Sequence, residues 1–366
     1  MLVWEQRKLK NLVDFYSGLT YHPENIREKG TFVIRSSNIK DGQLVTGDNI
    51  FVAPEIVNST YVKKDDIIVV VRNGSRKLIG KHTKLNFNLN NAVIGAFMTG
   101  IRSNNNNFIN AIFDSDNFKR EIHKNLGATI NQITTGELKR MNFYIPSLTS
   151  EQNYLGNLMK VLDKLITLQQ RKLKLLKLMK NIVSYNLVVS HKLASNNEIK
   201  WKAVYLKDIA RIYQPTTITK KDLLPKGIPV FGANDYIGFY NKYNHETDQV
   251  TICARGASAG HPNYVKGPVW ITGNSMVINV DETYINKKFL YTLLTFTDLK
   301  RFVTGGAQPQ ITRENLNSLK ILLPSIKAQN NLSAIIENLS INIRKVQLSI
   351  NSAKRLKQFL LQNMFI

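Results

Sequence analysis

The sequence predicts a mixed α/β (α+β) protein of two homologous globules, each followed by a long helix, and repeats at two offsets support this prediction. The segment 127–134, Gly-Ala-Thr-Ile-Asn-Gln-Ile-Thr, recurs 178 residues later as 305–312, Gly-Gly-Ala-Gln-Pro-Gln-Ile-Thr. A second set opens each half at an offset of 197, with Trp4, Leu9, Lys10, Tyr16, Gly30 and Val33 recurring as Trp201, Leu206, Lys207, Tyr213, Gly227 and Val230. A repeat of this length implies two copies of a whole domain. The falling offset makes the second copy 19 residues shorter in its interior.

Each half mixes strands with short helices. Apolar runs predict strands at 66–72, 141–145, 250–255 and 319–323, and amphipathic runs predict helices at 108–124 and 287–302. Pro146 and Pro324 end the last strand of each half, because proline cannot continue a strand ladder. The predicted domains are therefore globules at residues 1–146 and 196–324 and long helices at 147–195 and 325–366.

The two long helices carry apolar residues at the alternating steps of three and four that form a coiled-coil seam. The predicted seam is Leu155, Leu158, Leu162, Leu165, Leu176 and Met179 in the first helix and Ile336, Leu339, Ile343, Val346 and Ile350 in the second. A polar stretch from Gln169 to Lys172 interrupts the apolar positions of the first helix, and the charged Lys357 occupies an apolar position of the repeat in the second. Since each stripe needs a long partner, we expect the two helices to pair with each other.

The composition favours a polyanionic partner. Fifty Lys and Arg residues against 26 Asp and Glu give a formal net charge of +24, more than solubility requires. The longest aliphatic run, Ile67 to Val71, is too short to span a bilayer, and residues 1–7 lack the features of a signal peptide. The single cysteine, Cys253, excludes an internal disulfide. These features predict a cytoplasmic nucleic-acid-binding protein without a membrane segment.

Motifs for catalysis or metal binding are absent from the sequence. No phosphate-binding Gly-rich loop, dinucleotide fingerprint or amino-methyltransferase tetrapeptide occurs, and the six histidines lack zinc-ligand spacing. Four carboxylates leave a metal-dependent nuclease open as an alternative, namely Asp65, Asp66, Asp281 and Glu282. Neighbouring strand residues point to opposite faces, however, so adjacent carboxylates cannot easily share one ion.

Candidate DNA-contacting residues follow apolar strands in both halves. Each half has an Arg-Gly-Ser element after a strand, where Arg could reach a phosphate or a guanine edge. The candidates are Arg35, Ser37, Asn38, Arg72, Asn73, Ser75, Arg76 and Lys77 in the first half and Asn234, Tyr236, Arg255, Ser258, Lys266 and Asn274 in the second. The same residues could be ordinary turn formers with solvated side chains. A third alternative is an interaction protein dominated by its helices, in which the basic charge is incidental. The basic run at residues 160–180 could lie along the phosphate backbone or against a protein partner.

The order and duplication of these motifs resemble the specificity subunit of a type I restriction-modification enzyme. The resemblance covers nearly the whole chain, and the segments that carry it are Trp4 to Leu9, Gln132-Ile133-Thr134 through Pro146, Gly227 to Gly232, Gln310-Ile311-Thr312 through Pro324, and Leu360 to Phe365.

This resemblance implies two target-recognition domains on an antiparallel pair of helices with pseudo-two-fold symmetry, each domain reading one half of a split double-stranded DNA site. It also implies a non-catalytic chain without a cofactor of its own. The expected partners are two methyltransferase subunits, which use S-adenosylmethionine, and restriction (translocase) subunits, which use ATP and magnesium.

Overall fold

The computed structural model describes residues 4–126, 131–188, 200–306 and 308–364. Outside this range lie the start of the first repeated segment (127–130), the predicted helix end (189–195), Ala307 and Phe365. The chain divides into two compact units: unit 1 is Met1–Gln170 with Leu348–Ile366, and unit 2 is Arg171–Gln347. Both boundaries between the units fall inside a long helix, whereas the sequence analysis placed its boundaries at the helix ends.

The first half of the chain contains twelve named strands and four helices within the described residues. The strands are β1 (Trp4–Lys8), β2 (Asp14–Ser17), β3 (Ile26–Arg27), β4 (Thr31–Ile34), β5 (Ile39–Lys40), β6 (Gln43–Leu44), β7 (Ile50–Val52), β8 (Ile67–Val70), β9 (His82–Lys84), β10 (Ala92–Ile94), β11 (Met98–Arg102) and β12 (Asn142–Pro146). The helices are α1 (Asn106–Asp114), α2 (Asp116–Asn125), α3 (Thr135–Arg140) and α4 (Thr149–Val188).

The second half contains nine named strands and four helices within the described residues. The strands are β13 (Lys202–Tyr205), β14 (Ala210–Tyr213), β15 (Ile228–Phe231), β16 (Tyr236–Tyr240), β17 (Gln249–Cys253), β18 (Pro262–Val265), β19 (Trp270–Ile271), β20 (Ser275–Val280) and β21 (Lys320–Leu323). The helices are α5 (Leu206–Ile209), α6 (Lys287–Phe296), α7 (Arg313–Asn317) and α8 (Ile326–Met364).

A central antiparallel sheet repeats in the two units. Its strand order is β2-β11-β8-β9 in unit 1 and β14-β20-β17-β18 in unit 2. Val70 pairs with Met98, and Cys253 pairs with Ser275, so the register aligns Val70 with Cys253 at an offset of 183. Strand β8 is buried on both faces, as its continuous apolar sequence predicts. Its alternate residues join two different hydrophobic cores.

An outer sheet packs on the central sheet in each unit through one of these cores. Its strand order is β10-β4-β7-β3 in unit 1 and β16-β15-β19 in unit 2. Both outer sheets contain a parallel pair, β4 with β10 and β15 with β19. Between β4 and β8, unit 1 also has the β5-β6 hairpin. The offset falls from 197 to 183 across this segment, so most of the length difference predicted from the sequence lies there.

The repeated glycines Gly30 and Gly227 directly precede β4 and β15, which are equivalent strands of the two outer sheets. Their φ angles are 151° and 141°, in the region that favours glycine. A Cβ atom would lie 2.2 Å from the Val52 carbonyl oxygen at Gly30 and 2.5 Å from the Tyr240 carbonyl oxygen at Gly227. The close approach of a neighbouring strand therefore explains why both copies carry glycine.

The first predicted globular helix is two helices in the structure. Asp114 ends α1 and Asp116 begins α2, with Ser115 between them. The Ser115 hydroxyl accepts a hydrogen bond from Phe118 N (3.3 Å), which caps the second helix. Likewise, the helix predicted at 287–302 ends at Phe296 and is followed by a short 3₁₀ turn. The apolar periodicity continues across both interruptions, so it could not reveal them.

The long helix α4 is continuous through the polar stretch at Gln169 to Lys172. At two turns, however, the buried residue lies one position after the residue predicted for the seam. The buried residues are Leu155, Met159, Leu162 and Ile166, whereas the predicted seam residues Leu165 and Met179 are 41% and 52% exposed. Leucine occurs on several faces of this helix, so the spacing of leucines alone could not identify Met159 and Ile166 as buried positions.

The seam predicted for α8 is buried or half-buried throughout. Ile336, Val346 and Ile350 are buried, and Leu339 and Ile343 are half-buried. Within unit 1, Leu361 near the end of α8 shares a hydrophobic core with Leu155 near the start of α4.

Lys357, the charged residue at an apolar position of the repeat in α8, forms ion pairs in unit 1. Its Nζ lies 2.7 Å from Asp114 Oδ2 and 2.6 Å from Asp163 Oδ1. These contacts explain how a lysine is accommodated in an otherwise apolar stripe.

Candidate nucleic-acid interface

In unit 1 the repeated Gln-Ile-Thr segment lies against the chain that follows strand β8. Ile133 N donates to the Val71 carbonyl oxygen (2.8 Å), and Arg72 forms an isolated antiparallel bridge with Gln132. Val71 N in turn donates to the Phe97 carbonyl oxygen (3.0 Å). Two separate segments, at Gln132–Ile133 and at Phe97, therefore fix the backbone around Arg72, while its side chain is exposed.

Unit 2 builds the same arrangement from the corresponding residues. Ile311 N donates to the Ala254 carbonyl oxygen (3.0 Å), and Arg255 forms an isolated bridge with Gln310. Ala254 N donates to the Asn274 carbonyl oxygen (2.9 Å). The repeated Gln-Ile-Thr motif thus supports the backbone beside a surface arginine in both copies.

The loop that carries each arginine is closed by an equivalent hydrogen bond. Gly80 N donates to the Val70 carbonyl oxygen in unit 1, and Gly260 N donates to the Cys253 carbonyl oxygen in unit 2, both at 2.9 Å. The two bonded residues are ten positions apart in unit 1 and seven positions apart in unit 2. The two loops therefore start and end alike and differ in length and sequence.

Side-chain hydrogen bonds bring the two predicted groups of candidates together in unit 1. Asn73 Nδ2 donates to Ser36 Oγ (2.9 Å), which joins the loop after β8 to the loop after β4. Ser75 N donates to Asn73 Oδ1 (2.9 Å), and Asn131 Nδ2 donates to the Gly74 carbonyl oxygen (2.9 Å). Asn73 therefore shapes the loop with both ends of its amide.

Unit 2 makes the corresponding connection through a serine. Ser275 Oγ lies 2.8 Å from the Gly232 carbonyl oxygen and 3.1 Å from that of Ala233, next to the exposed Asn234. Tyr236 is 48% exposed and packs edge-on against Phe231. We call these sites the strand-end clusters: Ser36, Arg72, Asn73, Phe97 and Asn131 in unit 1, and Asn234, Tyr236, Arg255 and Asn274 in unit 2.

The structure corrects the prediction for Asn38. This residue is fully buried, and its amide nitrogen donates to the carbonyl oxygens of Val45 (3.4 Å) and Asp48 (3.3 Å). Its Oδ1 accepts a hydrogen bond from Arg35 N (3.0 Å). An asparagine used internally in this way has no edge to offer a base. Arg35 is itself half-buried and ion-paired with Asp48 at 2.8 Å, so its guanidinium is also engaged.

The remaining candidates lie around the clusters or away from them. Ser37, Ser75, Arg76, Lys77 and Ser258 are exposed on the cluster loops. Lys266 lies elsewhere, because the register pairs Val265 with Gln249, at the opposite end of β17 from Arg255. The structure therefore does not bring Lys266 to the unit 2 cluster.

The four carboxylates that left a nuclease open are engaged separately. Asp66 is 1% exposed and accepts hydrogen bonds from Tyr16 Oη (2.8 Å) and from Arg102 Nε and Nη2 (both 2.7 Å). Asp65 pairs with Lys84, and Glu282 pairs with Lys287. Asp281 accepts hydrogen bonds from Thr283. Each carboxylate thus has a local structural partner.

No group of three or more His, Cys, Asp or Glu residues could hold a metal ion within the described ranges. Burial raises the pKa of the Cys253 thiol, which disfavours the thiolate. In the same residues, no helix has both the length and the apolar character needed to cross a bilayer.

Sequence reasoning missed Phe97 and Asn131. Phe97 is 53% exposed, and the Arg72 guanidinium carbon lies 5.1 Å from the centre of its ring. Asn131 belongs to the repeated segment that the sequence analysis used only as evidence of duplication. Asn131 aligns with Pro309 in the second copy, so the repeat gave no signal for its side chain.

The solved structures most relevant here share this two-domain fold. A type I restriction-modification S subunit from M. genitalium has a TM-score of 0.69 over 100% of this chain and 96% of its own, at 18% identity. A chain from a structure of type I restriction-modification complex assembly gives 0.56 at 15% identity, over 99% and 97%. At these identities the likeness concerns the fold.

Sequence relatives match over shorter segments. A Haemophilus influenzae relative is 29% identical over 155 residues, 41% of this chain and 39% of its own length. The EcoprrI type I specificity subunit of Escherichia coli is 29% identical over 109 residues (30% and 27%), and the StySPI subunit of Salmonella potsdam is 29% identical over 161 residues (41% and 34%). The matches thus span well under half of these relatives.

A family model described as the type I restriction modification DNA specificity domain matches residues 1–178 and 198–352, one match in each repeat. The chain therefore belongs to the family of type I restriction-modification DNA specificity proteins.

Proposed function

We propose that this chain is the non-catalytic specificity subunit of a type I restriction-modification complex and reads a bipartite, asymmetric DNA site. The observation that carries this proposal is the pair of strand-end clusters. Equivalent backbone hydrogen bonds present Arg72 in unit 1 and Arg255 in unit 2, while the side chains around them differ. Such an arrangement suits two readers of different half-sites.

The chemistry of the clusters fits double-stranded DNA. Arg can donate two parallel hydrogen bonds to guanine O6 and N7, and amide side chains can pair with adenine. The whole chain has a formal net charge of +24, and its excess of lysines and arginines provides phosphate attraction that is independent of sequence. We therefore expect base recognition at the clusters and general affinity from the basic surface.

We further propose that α4 and α8 form an antiparallel coiled coil, related by pseudo-two-fold symmetry, that fixes the spacing between the half-sites. In unit 1 the end of α8 and the start of α4 share a core through Leu361 and Leu155. In unit 2 the start of α8 contributes Leu332 and Ile336 to a core against which Val183, near the end of α4, packs. These pairings support opposite helix directions.

The proposed complex acts on DNA in the cytoplasm and divides its chemistry among subunits. Two methyltransferase subunits would supply adenine methylation with S-adenosylmethionine, and restriction subunits would supply ATP- and magnesium-dependent translocation and cleavage. This chain would bind the partners and the DNA. The separate engagement of its carboxylates favours this role over that of a free-standing nuclease.

The proposal is tested by mapping methylated adenines in cells that express the partner subunits with or without this chain. We expect one bipartite motif that depends on the chain. Arg72→Ala should reduce discrimination in one half-site and Arg255→Ala in the other, each by roughly 5- to 150-fold if the arginine reads a base. Arg120→Ala and Arg301→Ala, which remove exposed arginines outside the clusters, are the matched controls.

Two results would contradict the proposal. If Arg72→Ala and Arg255→Ala altered the same half-site, the assignment of one reader to each unit would be wrong. If the purified chain cleaved DNA with magnesium alone, the nuclease alternative would replace the scaffold. Salt-independent DNA affinity would instead favour a protein-interaction role, because phosphate contacts release counterions.

A further inference from the structure

One backbone position beside each arginine has the same structural role and a different side chain in the two units. Phe97 immediately precedes β11, and Asn274 immediately precedes β20. Each carbonyl oxygen accepts a hydrogen bond from the residue before the arginine, Val71 N at 3.0 Å or Ala254 N at 2.9 Å. Because the backbone is fixed alike, the side chain at this position is free to vary without disturbing the sheet.

In unit 1 the side chain at this position supports the arginine. The Phe97 ring is 53% exposed, although a large apolar side chain gains by burial, and the Arg72 guanidinium lies over its face at 5.1 Å. Arg72 N also donates to the Phe97 carbonyl oxygen (3.2 Å). The ring therefore limits the orientations of the guanidinium plane, which favours a bidentate contact over a diffuse phosphate contact.

In unit 2 the side chain at the corresponding position carries an amide instead of an aromatic ring. Asn274 is exposed, and no aromatic ring supports Arg255 among the cation–ring contacts of the described residues. The neighbouring Gly273 is held by Thr217 Oγ1, which accepts from its N–H at 3.1 Å, and by Gln214, which donates to its carbonyl oxygen at 3.0 Å. The backbone that carries the Asn274 amide is thus anchored on the N-terminal side.

We propose that this position determines specificity: Phe97 orients Arg72 to read a guanine in one half-site, and Asn274 reads an adenine in the other through its amide. An asparagine amide matches adenine N6 and N7 in the major groove, just as arginine matches guanine O6 and N7. This inference rests on the proposed DNA-reading function and adds to it the residue and the base class.

The test measures base preference in the reconstituted methyltransferase complex, using oligonucleotide libraries randomised at one half-site at a time. Phe97→Asn should lower the preference for one guanine in the first half-site by about 10-fold or more, and Asn274→Ala should do the same for one adenine in the second. Phe97→Leu keeps an apolar side chain without the ring face, and should lose guanine preference while total DNA affinity changes little.

Matched controls separate this role from a general effect on folding. Phe87→Asn replaces another exposed phenylalanine of unit 1 (51% exposed), and Asn279→Ala replaces an exposed asparagine on β20 itself. Both should leave the base preferences unchanged. If Phe97→Asn does not assemble with its partners, Phe97→Leu decides the outcome.

The outcomes distinguish this inference from the proposed function. A wild-type complex with a bipartite preference, combined with unchanged preferences in Phe97→Leu and Asn274→Ala, would overturn the inference alone. A uniform loss of affinity without a change of base preference would also overturn it, since that result indicates a structural or phosphate-binding role. A wild-type complex without any bipartite preference would instead overturn the proposed function.

Discussion

The polar centre of the sheet differs between the two units, although the strands around it are equivalent. In unit 1, Tyr16 and Arg102 both hydrogen-bond to the buried carboxylate of Asp66. The positions of these three residues correspond in unit 2 to Tyr213, Asn279 and Gln249, where no charge remains. Tyr213 Oη lies instead 2.7 Å from His245 Nε2. A cluster built on an ion pair and one in which amides replace that ion pair thus occupy the same place in the repeated sheet.

This difference shows which parts of the repeat are constrained. The tyrosine and the strand register persist, while the partners of the tyrosine have changed together. Burial and the neighbouring Asp66 carboxylate raise the pKa of the Tyr16 hydroxyl, and the hydrogen bond that Arg102 donates to Asp66 raises the pKa of Arg102. Each group therefore stays in the protonation state that its partner requires. A buried polar group has to be satisfied, and the two units achieve this with different chemistry.

The largest expected effect comes from breaking the charged cluster. Asp66→Asn removes the negative charge opposite Arg102 and should destabilise unit 1 by about 3 kcal/mol, because one member of a buried pair is left without its partner. Peptide-resolved hydrogen exchange can follow each unit separately. We expect faster exchange in peptides from β8 and β11 and little change in β17 and β20.

The matched substitution in unit 2 is Gln249→Leu. Gln249 makes only two long hydrogen bonds to Thr247 (3.3 Å each), and its Oε1 has no partner in the described structure. We expect a change of less than about 1 kcal/mol. Equal destabilisation by Asp66→Asn and Gln249→Leu would show that the two centres are energetically alike and would remove the contrast.

The second prediction concerns the positions that the two units share. Gly30→Ala and Gly227→Ala should each destabilise their unit by about 2 kcal/mol, since both positions combine positive φ with a close carbonyl oxygen. Gly47→Ala, with open space around the site, is the control. Denaturant unfolding with exchange readout measures each effect. A large difference between the effects of Gly30→Ala and Gly227→Ala would mean that these two positions are not energetically equivalent, although their backbone geometry is similar.

The same distinction explains what the sequence could predict. The repeated positions gave the two-domain α/β fold, the strands that end at Pro146 and Pro324, and the surface position of Arg72 and Arg255. Each of these positions occurs in both copies, and the requirements of a turn or a strand restrict which residue types can occupy it. The tyrosine partners Asp66 and His245 could not be paired from sequence, because they depend on contacts between distant strands.

The errors in the sequence analysis have the same origin. Asn38 has the composition of a surface turn, yet the chain around Val45 to Asp48 folds over it and consumes its hydrogen bonds. Leu165 fits a seam in steps of three and four, but tertiary contacts select Ile166 one residue later. Phe97 was overlooked because an exposed phenylalanine has no local sequence signature. Only its position beside Arg72 gives it a role.

The third prediction concerns the ion pairs of Lys357, which add a second charged cluster to unit 1. Burial alone disfavours the charged forms of Asp114 and Lys357. His82 and Lys357 nevertheless lower the pKa of Asp114 to about 2. Asp114 and Asp163 raise the pKa of Lys357. Lys357→Met should loosen the last turns of α8 by about 2 kcal/mol, less than a fully buried pair would cost, because Asp163 is partly exposed.

Hydrogen exchange in the last turns of α8 measures this effect. Lys354→Met, one turn earlier and exposed, should have little effect. Because Asp114 has a lowered pKa, its stabilising contribution is present above its ordinary pKa of 3.8 and should fade as the pH falls towards 2. If Lys354→Met loosened the helix as much as Lys357→Met, the ion pairs would not be what holds the helix end.

The smallest predicted effect is a pH dependence that belongs to unit 2. Burial, with a further contribution from Lys287, lowers the pKa of His245, so the folded state favours the neutral ring. Its Nδ1 lies 2.7 Å from Asn244 Oδ1 and its Nε2 lies 2.7 Å from Tyr213 Oη, which suits an Nδ1–H donor and an Nε2 acceptor. The unfolded state binds the proton more readily, so this contribution to stability is present above pH 6.5 and is lost as the pH falls below it.

Hydrogen exchange at pH 7.5 and 5.5, corrected for intrinsic rates, should show that unit 2 loses stability on acidification, and His245→Gln should reduce that dependence on pH. An unchanged dependence on pH would mean that another group controls the acid sensitivity of unit 2.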